Sequence, residues 1–206
     1  MSKKGIIAVI SGFSGAGKGT VVNELVKNYG YAISISATTR KPREGEKEGV
    51  NYFFKTRDEF EEMIKNDEFI EYAEYVGNYY GTPKKYVYDK INNGTDVLLE
   101  IEMQGALKVK KAFPEVTLVF ITPPSYEELR RRLEGRGTET KEAIDKRMAR
   151  AVEECSYMDF YDYIVENDDL DECVKEMHNL LQAVHYSKEN QTEFIDKIKN
   201  DFEKGR

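Results

Sequence analysis

Apolar residues recur along this chain with two different periods, and the periods alternate. Ile6 to Ile10 is a short, continuous, largely β-branched run, which predicts a strand buried on both faces. Val21, Val22, Leu25 and Val26 follow at helical spacing. Tyr31 to Ser36 reads as a short strand. A charged segment broken by Pro42, Gly45 and Gly49 leads into an aromatic strand at Tyr52 to Phe54. Phe60, Met63 and Ile64 predict an amphipathic helix over Arg57 to Asn66. Phe69 to Tyr80, with Gly77-Asn78 inside it, predicts a hairpin. Residues from about 35 to 83 therefore form a small, partly antiparallel piece.

Beyond it the alternation resumes. Pro83 to Asn92 predicts a helix with proline in its first turn, and Val97 to Glu102 a buried strand. Gln104 to Ala112 is a helix stopped before Pro114, and Val116 to Ile121 a third buried strand. Ser125 caps a helix over Tyr126 to Leu133, with Glu128 completing a capping box. Gly135 to Thr138 interrupts it before a long helix over Lys141 to Ser156. Tyr163 to Val165 is a last short strand, and a helix runs from Leu170 to His185. Phe194, Ile195, Ile198 and Phe202 give a weak amphipathic stretch after it. Strand and helix in alternation predict an α/β fold with a doubly wound parallel sheet.

The connection between the first strand and the first helix carries the first chemistry. It reads Gly12-Phe13-Ser14-Gly15-Ala16-Gly17-Lys18-Gly19-Thr20. Glycines there let successive backbone N–H groups turn inward on an anion, and the helix dipole adds to that. Lys18 supplies a cation for the β- and γ-phosphates of a nucleotide. The position after Lys18, where Ser or Thr binds Mg²⁺, holds Gly19, with Thr20 one place later. This form of the loop resembles that of nucleoside monophosphate kinases. Metal contacts through water and phosphate oxygens are expected, with Glu100 ordering water around Mg²⁺ and no direct side-chain ligand assigned.

Charge and composition narrow the partners. The 206 residues carry a formal net charge of -7, which opposes non-specific nucleic-acid binding. No apolar run is long enough for a membrane span, and the N-terminus enters a strand too soon for a signal peptide, so a cytoplasmic protein is expected. Cys155 and Cys173 are expected to be reduced. His178 and His185 lack a third metal ligand nearby. A homodimer is compatible with the sequence, which does not fix the oligomeric state.

Arg40 and Arg43, three apart in the charged loop, can converge on one phosphate, although such a loop by itself reads as a solvated surface. Its context adds a family resemblance. SATTRKPREGEKEGVNYFF, EFIEYAEYVGNYYGTP, LLEIEMQGA, RLEGRGTE and IVENDDL follow the glycine loop in unbroken order, and together they resemble guanylate kinase. The resemblance implies a P-loop nucleoside monophosphate kinase fold. Its core would be 1–34, 84–125 and 157–206, with a GMP-binding lobe at 35–83 and a lid at 126–156. It implies Mg²⁺-dependent transfer of a phosphoryl group from ATP to GMP. It also implies that Arg40, Arg43, Tyr52 and Tyr80 grip the GMP phosphate. Ser36, Glu71, Gly81, Thr82 and Glu102 would surround the guanine, Glu102 standing where the family usually has Asp. Arg132, Arg136 and Arg147 would neutralise charge on the transferred group, beside Lys18 and Arg43, and Asn167 would lie by the adenine.

Two alternatives remain at this stage. A kinase for another monophosphate is disfavoured by the guanine-reading set. A guanylate-kinase-like scaffold that binds protein partners without turnover is disfavoured by the intact Gly12, Gly15, Gly17 and Lys18.

Overall fold

The structure, a computed structural model, describes residues 4–75, 77–135, 137 and 140–205. The first apolar run forms β1 (Ile7–Gly12), every residue of it buried. It lies at the centre of a five-stranded sheet with β2 (Ala32–Ile33), β7 (Val97–Glu100), β8 (Thr117–Thr122) and β9 (Tyr163–Glu166). The order is β2-β7-β1-β8-β9, and every pairing is parallel. A parallel sheet must be covered on both faces, and alternate side chains of β1 supply the two layers. Ala8 and Ile10 pack with Val21, Val22 and Leu25 of α1 (Lys18–Tyr29) and with Met177 and Leu181 of α7 (Leu170–Val184). Ile7 and Val9 pack with Val87 and Ile91 of α3 (Lys84–Asn92) and Ala106 and Val109 of α4 (Met103–Ala112). Each fully buried Ile or Leu in these layers contributes about 1.5–3 kcal/mol relative to exposure.

A second sheet stands apart from the first. Its order is β4 (Phe53–Phe54), β3 (Ala37–Thr38), β6 (Asn78–Pro83), β5 (Phe69–Tyr75). β3 pairs parallel with β4, and the other two pairings are antiparallel. Phe60, from α2 (Arg57–Lys65), and Phe69 stack at 4.4 Å to form a small separate apolar cluster with Ala37. α5 (Tyr126–Gly135) and α6 (Lys141–Glu154) pack Leu129, Leu133, Ile144 and Met148 onto the core. α8 (Thr192–Lys204) ends the chain with no buried residue.

The structure redraws several boundaries. The run Tyr31 to Ser36 is not one strand. Ala32–Ile33 pairs with β7 and Ala37–Thr38 joins the other sheet, because the chain passes between sheets here. Ser34 makes the last bond to the core, its N–H donating to the Leu98 carbonyl at 2.8 Å. Pro83 is the last residue of β6 and caps α3 in an extended conformation, so it precedes the first helical turn. The long helix stops at Glu154, and a 3-10 helix covers Cys155–Phe160. At α5 only half of the expected capping box forms. The Glu128 N–H donates to the Ser125 hydroxyl, but the Glu128 carboxylate is taken by Arg131 and Arg132. Their proximity holds that carboxyl far below its ordinary range, at about 2.

Cys155 is exposed, while Cys173 is buried, which pushes its thiol up to about 11; neither is in a disulfide. His178 stacks on Tyr29 at 3.7 Å, and His185 meets Asp96 at 2.9 Å, so the two rings serve separate contacts. Among the described residues no helix is long and apolar enough to cross a membrane.

Candidate active site

β1 and β7 run side by side with Ile10 opposite Glu100, so both strands end at one edge of the sheet. The C-terminal edge of such a sheet is where open α/β folds bind ligands. The glycine loop leaves β1 there. Gly12 has φ +148, and a Cβ on it would strike the Ile121 carbonyl oxygen. Gly17 has φ +88, and a Cβ on it would lie 2.5 Å from Asn167 Nδ2. Side chains at either place would force the loop off its path. The loop opens into a cleft of about 350 Å³ bordered by Ser14, Gly15, Lys18, Thr20, Asn23 and Glu100. Lys18 Nζ donates to the carbonyls of Gly12 and Phe13, at 2.8 and 3.0 Å, and so lies across the loop. Glu100 looks into the cleft; desolvation raises its carboxyl above the ordinary range, and Lys18 opposes the rise.

Asn167 is buried and donates from Nδ2 to the Ala16 carbonyl at 2.7 Å, tying the end of β9 to the loop. Arg147, from α6, donates to Ser14 Oγ at 3.1 Å, so α6 reaches the loop directly. Arg132 pairs with Glu128 at 2.6 Å and reaches the Asp168 carbonyl at 3.5 Å. Arg136 lies outside the described residues. A residue that the sequence did not single out, Arg150, bridges Glu102 and Glu154 at 3.0 and 2.8 Å. Glu102 thereby links the start of α4 to α6, with its side chain largely exposed.

The second sheet assembles the other candidate residues. Thr82 lies opposite Glu71 and donates to Glu71 Oε1 at 2.8 Å. Burial raises the Glu71 carboxyl, while the Thr82 hydroxyl works against the rise. Strict alternation along β5 fails, because the register shifts between Phe69 and Glu71. Phe69 enters the lobe's apolar cluster, Ile70 packs on the core, and Glu71 turns toward α4. Glu71 Oε2 would lie 3.5 Å from a Cβ on Gly105 of α4. The pairing of Ala37 with Gly81 and Thr38 with Tyr80 brings Tyr80 beside the charged loop. Arg40 lies over the Tyr52 ring at 5.3 Å, and the Tyr52 and Tyr80 rings are 6.2 Å apart. Ser36 is half-buried before β3, and its carbonyl accepts from the Phe53 N–H. The Arg43 side chain is exposed. Glu46, also unmarked by the sequence reading, takes Arg40 and the Arg43 N–H together.

The arrangement thus has a phosphate loop with a lysine across it, an arginine from a separate helix on that loop, and a half-buried carboxylate paired with a buried hydroxyl near an arginine–tyrosine stack. It suits two anionic substrates, one of them carrying a ring with hydrogen-bond donors.

Comparison with known proteins agrees. A family model described as guanylate kinase matches residues 4–184. The chain is 54% identical to a guanylate kinase of Shouchella clausii, over 91% of this chain and 92% of that one. It is 51% identical to one from Bacillus anthracis, over 96% of this chain and 97% of that one. Among solved structures it resembles the crystal structure of guanylate kinase from Anaplasma phagocytophilum, with 38% identity and a TM-score of 0.70, covering 92% of this chain and 90% of that one.

Proposed function

Because this chain belongs to the guanylate kinase family, we propose that it moves the terminal phosphoryl group of ATP onto GMP, giving ADP and GDP. The observation that carries the reading is the pair of half-buried Glu71 and buried Thr82 beside the Arg40–Tyr52–Tyr80 cluster. Guanine presents N1–H and a 2-amino group as donors, which a carboxylate accepts together. Adenine turns a lone pair toward the same oxygens, which leaves a buried acceptor unmet. In this reading Arg40, Arg43, Tyr52 and Tyr80 hold the GMP phosphate. Ser36, Glu71, Gly81 and Thr82 frame the base, and Glu102 stands at its edge, shared with the lid.

The ATP phosphates lie on residues 12–20, with Asn167 fixing the loop from behind. Lys18, Arg132, Arg136 and Arg147 then meet the charge of the transferred group. Little covalent work is required of the protein in such a transfer; positioning and electrostatics dominate. Oxygen donors at the cleft, Glu100 and Thr20, suit a hard cation. Mg²⁺ keeps several waters and takes phosphate oxygens readily, so Glu100 and Thr20 would border such an ion. Bound there, Mg²⁺ would offset negative charge on the phosphates. With free nucleotides as its partners, the protein is assigned to the cytoplasm.

The test follows a labelled γ-phosphate. From ATP it should appear in GDP when GMP is present, and Lys18→Ala should abolish that transfer while circular dichroism stays unchanged. Label released only as inorganic phosphate, or a folded Lys18→Ala variant with near wild-type kcat, would overturn the assignment.

A further inference from the structure

Among the groups the proposed reaction leaves unused, Glu46 has the most constrained surroundings. It sits in a segment crowded with charge, yet its side chain is 19% exposed and that of its partner Arg40 16%. Both carboxylate oxygens face Arg40 Nη2, at 2.8 and 3.0 Å, and Oε2 also accepts from the Arg43 N–H at 2.7 Å. The Glu46 N–H donates back to the Arg43 carbonyl at 3.1 Å. Arg40 Nη1 donates to the Lys41 carbonyl at 2.8 Å, and the guanidinium lies over Tyr52. The loop from 40 to 46 is therefore closed on itself, with one carboxylate as its clasp.

We propose that Glu46 is a positioning residue for the monophosphate site, holding the Arg40 guanidinium in plane and the Arg43 backbone in its turn, so that both arginines are set before the phosphate arrives. The inference rests on the reading of Arg40 as a phosphate ligand. A guanidinium on a flexible stem loses rotamer freedom when it binds, and holding it beforehand removes that cost from binding. Two cations three residues apart also repel, and a fixed anion between them offsets this. Glu46 responds accordingly: contact with Arg40 first, and with the Arg43 N–H second, lowers its carboxyl below the ordinary range, so it stays ionised at neutral pH.

A competing role has the opposite sign. If Glu46 occupied the place of the incoming phosphate, removing its charge would strengthen GMP binding. The Arg43 N–H bond and the 43–46 turn argue for the clasp, since both belong to the loop's own frame.

The experiment is a double-mutant cycle on Glu46→Gln and Arg40→Ala, with KM measured separately for GMP and for ATP and with thermal melts of each variant. Arg40→Ala should raise KM for GMP, roughly tenfold or more, and leave KM for ATP within about twofold. Glu46→Gln should raise KM for GMP roughly 5- to 20-fold, again without moving KM for ATP. In the Arg40→Ala background its effect on KM for GMP should largely vanish, because the Gln amide oxygen still accepts from the Arg43 N–H and the pair that Glu46→Gln weakens is the one with the missing guanidinium. A lower or unchanged KM for GMP in Glu46→Gln, or an equal effect in both backgrounds, overturns the clasp. No change in Arg40→Ala alone refutes the phosphate-site reading instead. Should Glu46→Gln fail to fold, Glu46→Asp in the two backgrounds carries the same comparison, with the same criteria.

Discussion

At Glu71 a half-buried carboxylate is partly withdrawn from water, with the Thr82 hydroxyl as a partner. That is unfavourable in the empty site and becomes useful only when two donors arrive. Replacing it with Gln puts an amide donor against a guanine donor, so kcat/KM for GMP should fall about 10- to 100-fold, with a smaller loss for AMP. The raised carboxyl has a pH signature. As pH falls through its elevated value, Glu71 takes up a proton and ceases to accept from both guanine donors. The acid limb of kcat/KM for GMP should therefore have its midpoint above that of an ordinary glutamate, and Glu71→Gln should lack that limb. Glu100 is raised as well, so a limb that survives in Glu71→Gln would assign the titration to Glu100. Stability follows the same sign. Between the ordinary and the raised value the folded state binds more protons than the unfolded chain, so Glu71 subtracts stability as pH rises through that window. Glu71, Thr82, Arg40 and Lys18 were all legible as sequence, because each belongs to a motif with its chemistry attached. Glu46 and Arg150 were not. Each is one acid or base among many, and only the folded loop and the packed α6 select their partners.

Elements were legible where apolar periodicity was unbroken, as in β1, α1, β8 and α7. They were misjudged where the chain changes partners. The residues 31–36 are apolar enough for one strand, but tertiary pairing divides them between two sheets. The bulge at Phe69 and Glu71 is likewise set by what each side chain packs against. Local caps can be tested independently of these. Thr56 and Glu59 form both halves of a capping box at α2. Thr56→Ala should destabilise the protein by about 1 kcal/mol, with amide exchange accelerating first in α2. A variant with unchanged exchange there would show that the box contributes nothing. At the nucleotide loop, Asn167→Ala removes the donor that holds the Ala16 carbonyl. KM for ATP should rise several-fold and KM for GMP should stay put. Equal increases in both would show a general loss of structure.

Across the whole molecule, residues 35–83 and 126–156 carry most of the arginines, whereas the phosphate loop lies between β1 and α1. Arg147 on Ser14 and Arg150 on Glu102 already join α6 to the phosphate loop and to the start of α4. A transfer that excludes water needs these parts to close over both nucleotides. Small-angle scattering with GMP and a non-hydrolysable ATP analogue should show a smaller radius of gyration than the free protein. An unchanged value with both ligands shown to be bound would contradict closure. The most direct measurement is monophosphate specificity under saturating ATP and Mg²⁺, with kcat/KM taken for GMP, AMP, CMP and UMP on the wild-type protein. The proposed reading of guanine by the half-buried Glu71 carboxylate predicts a preference for GMP over AMP of roughly 10⁴-fold, with the pyrimidines lower still. Comparable efficiency with AMP, or no turnover of GMP by a folded protein that binds ATP, would contradict it.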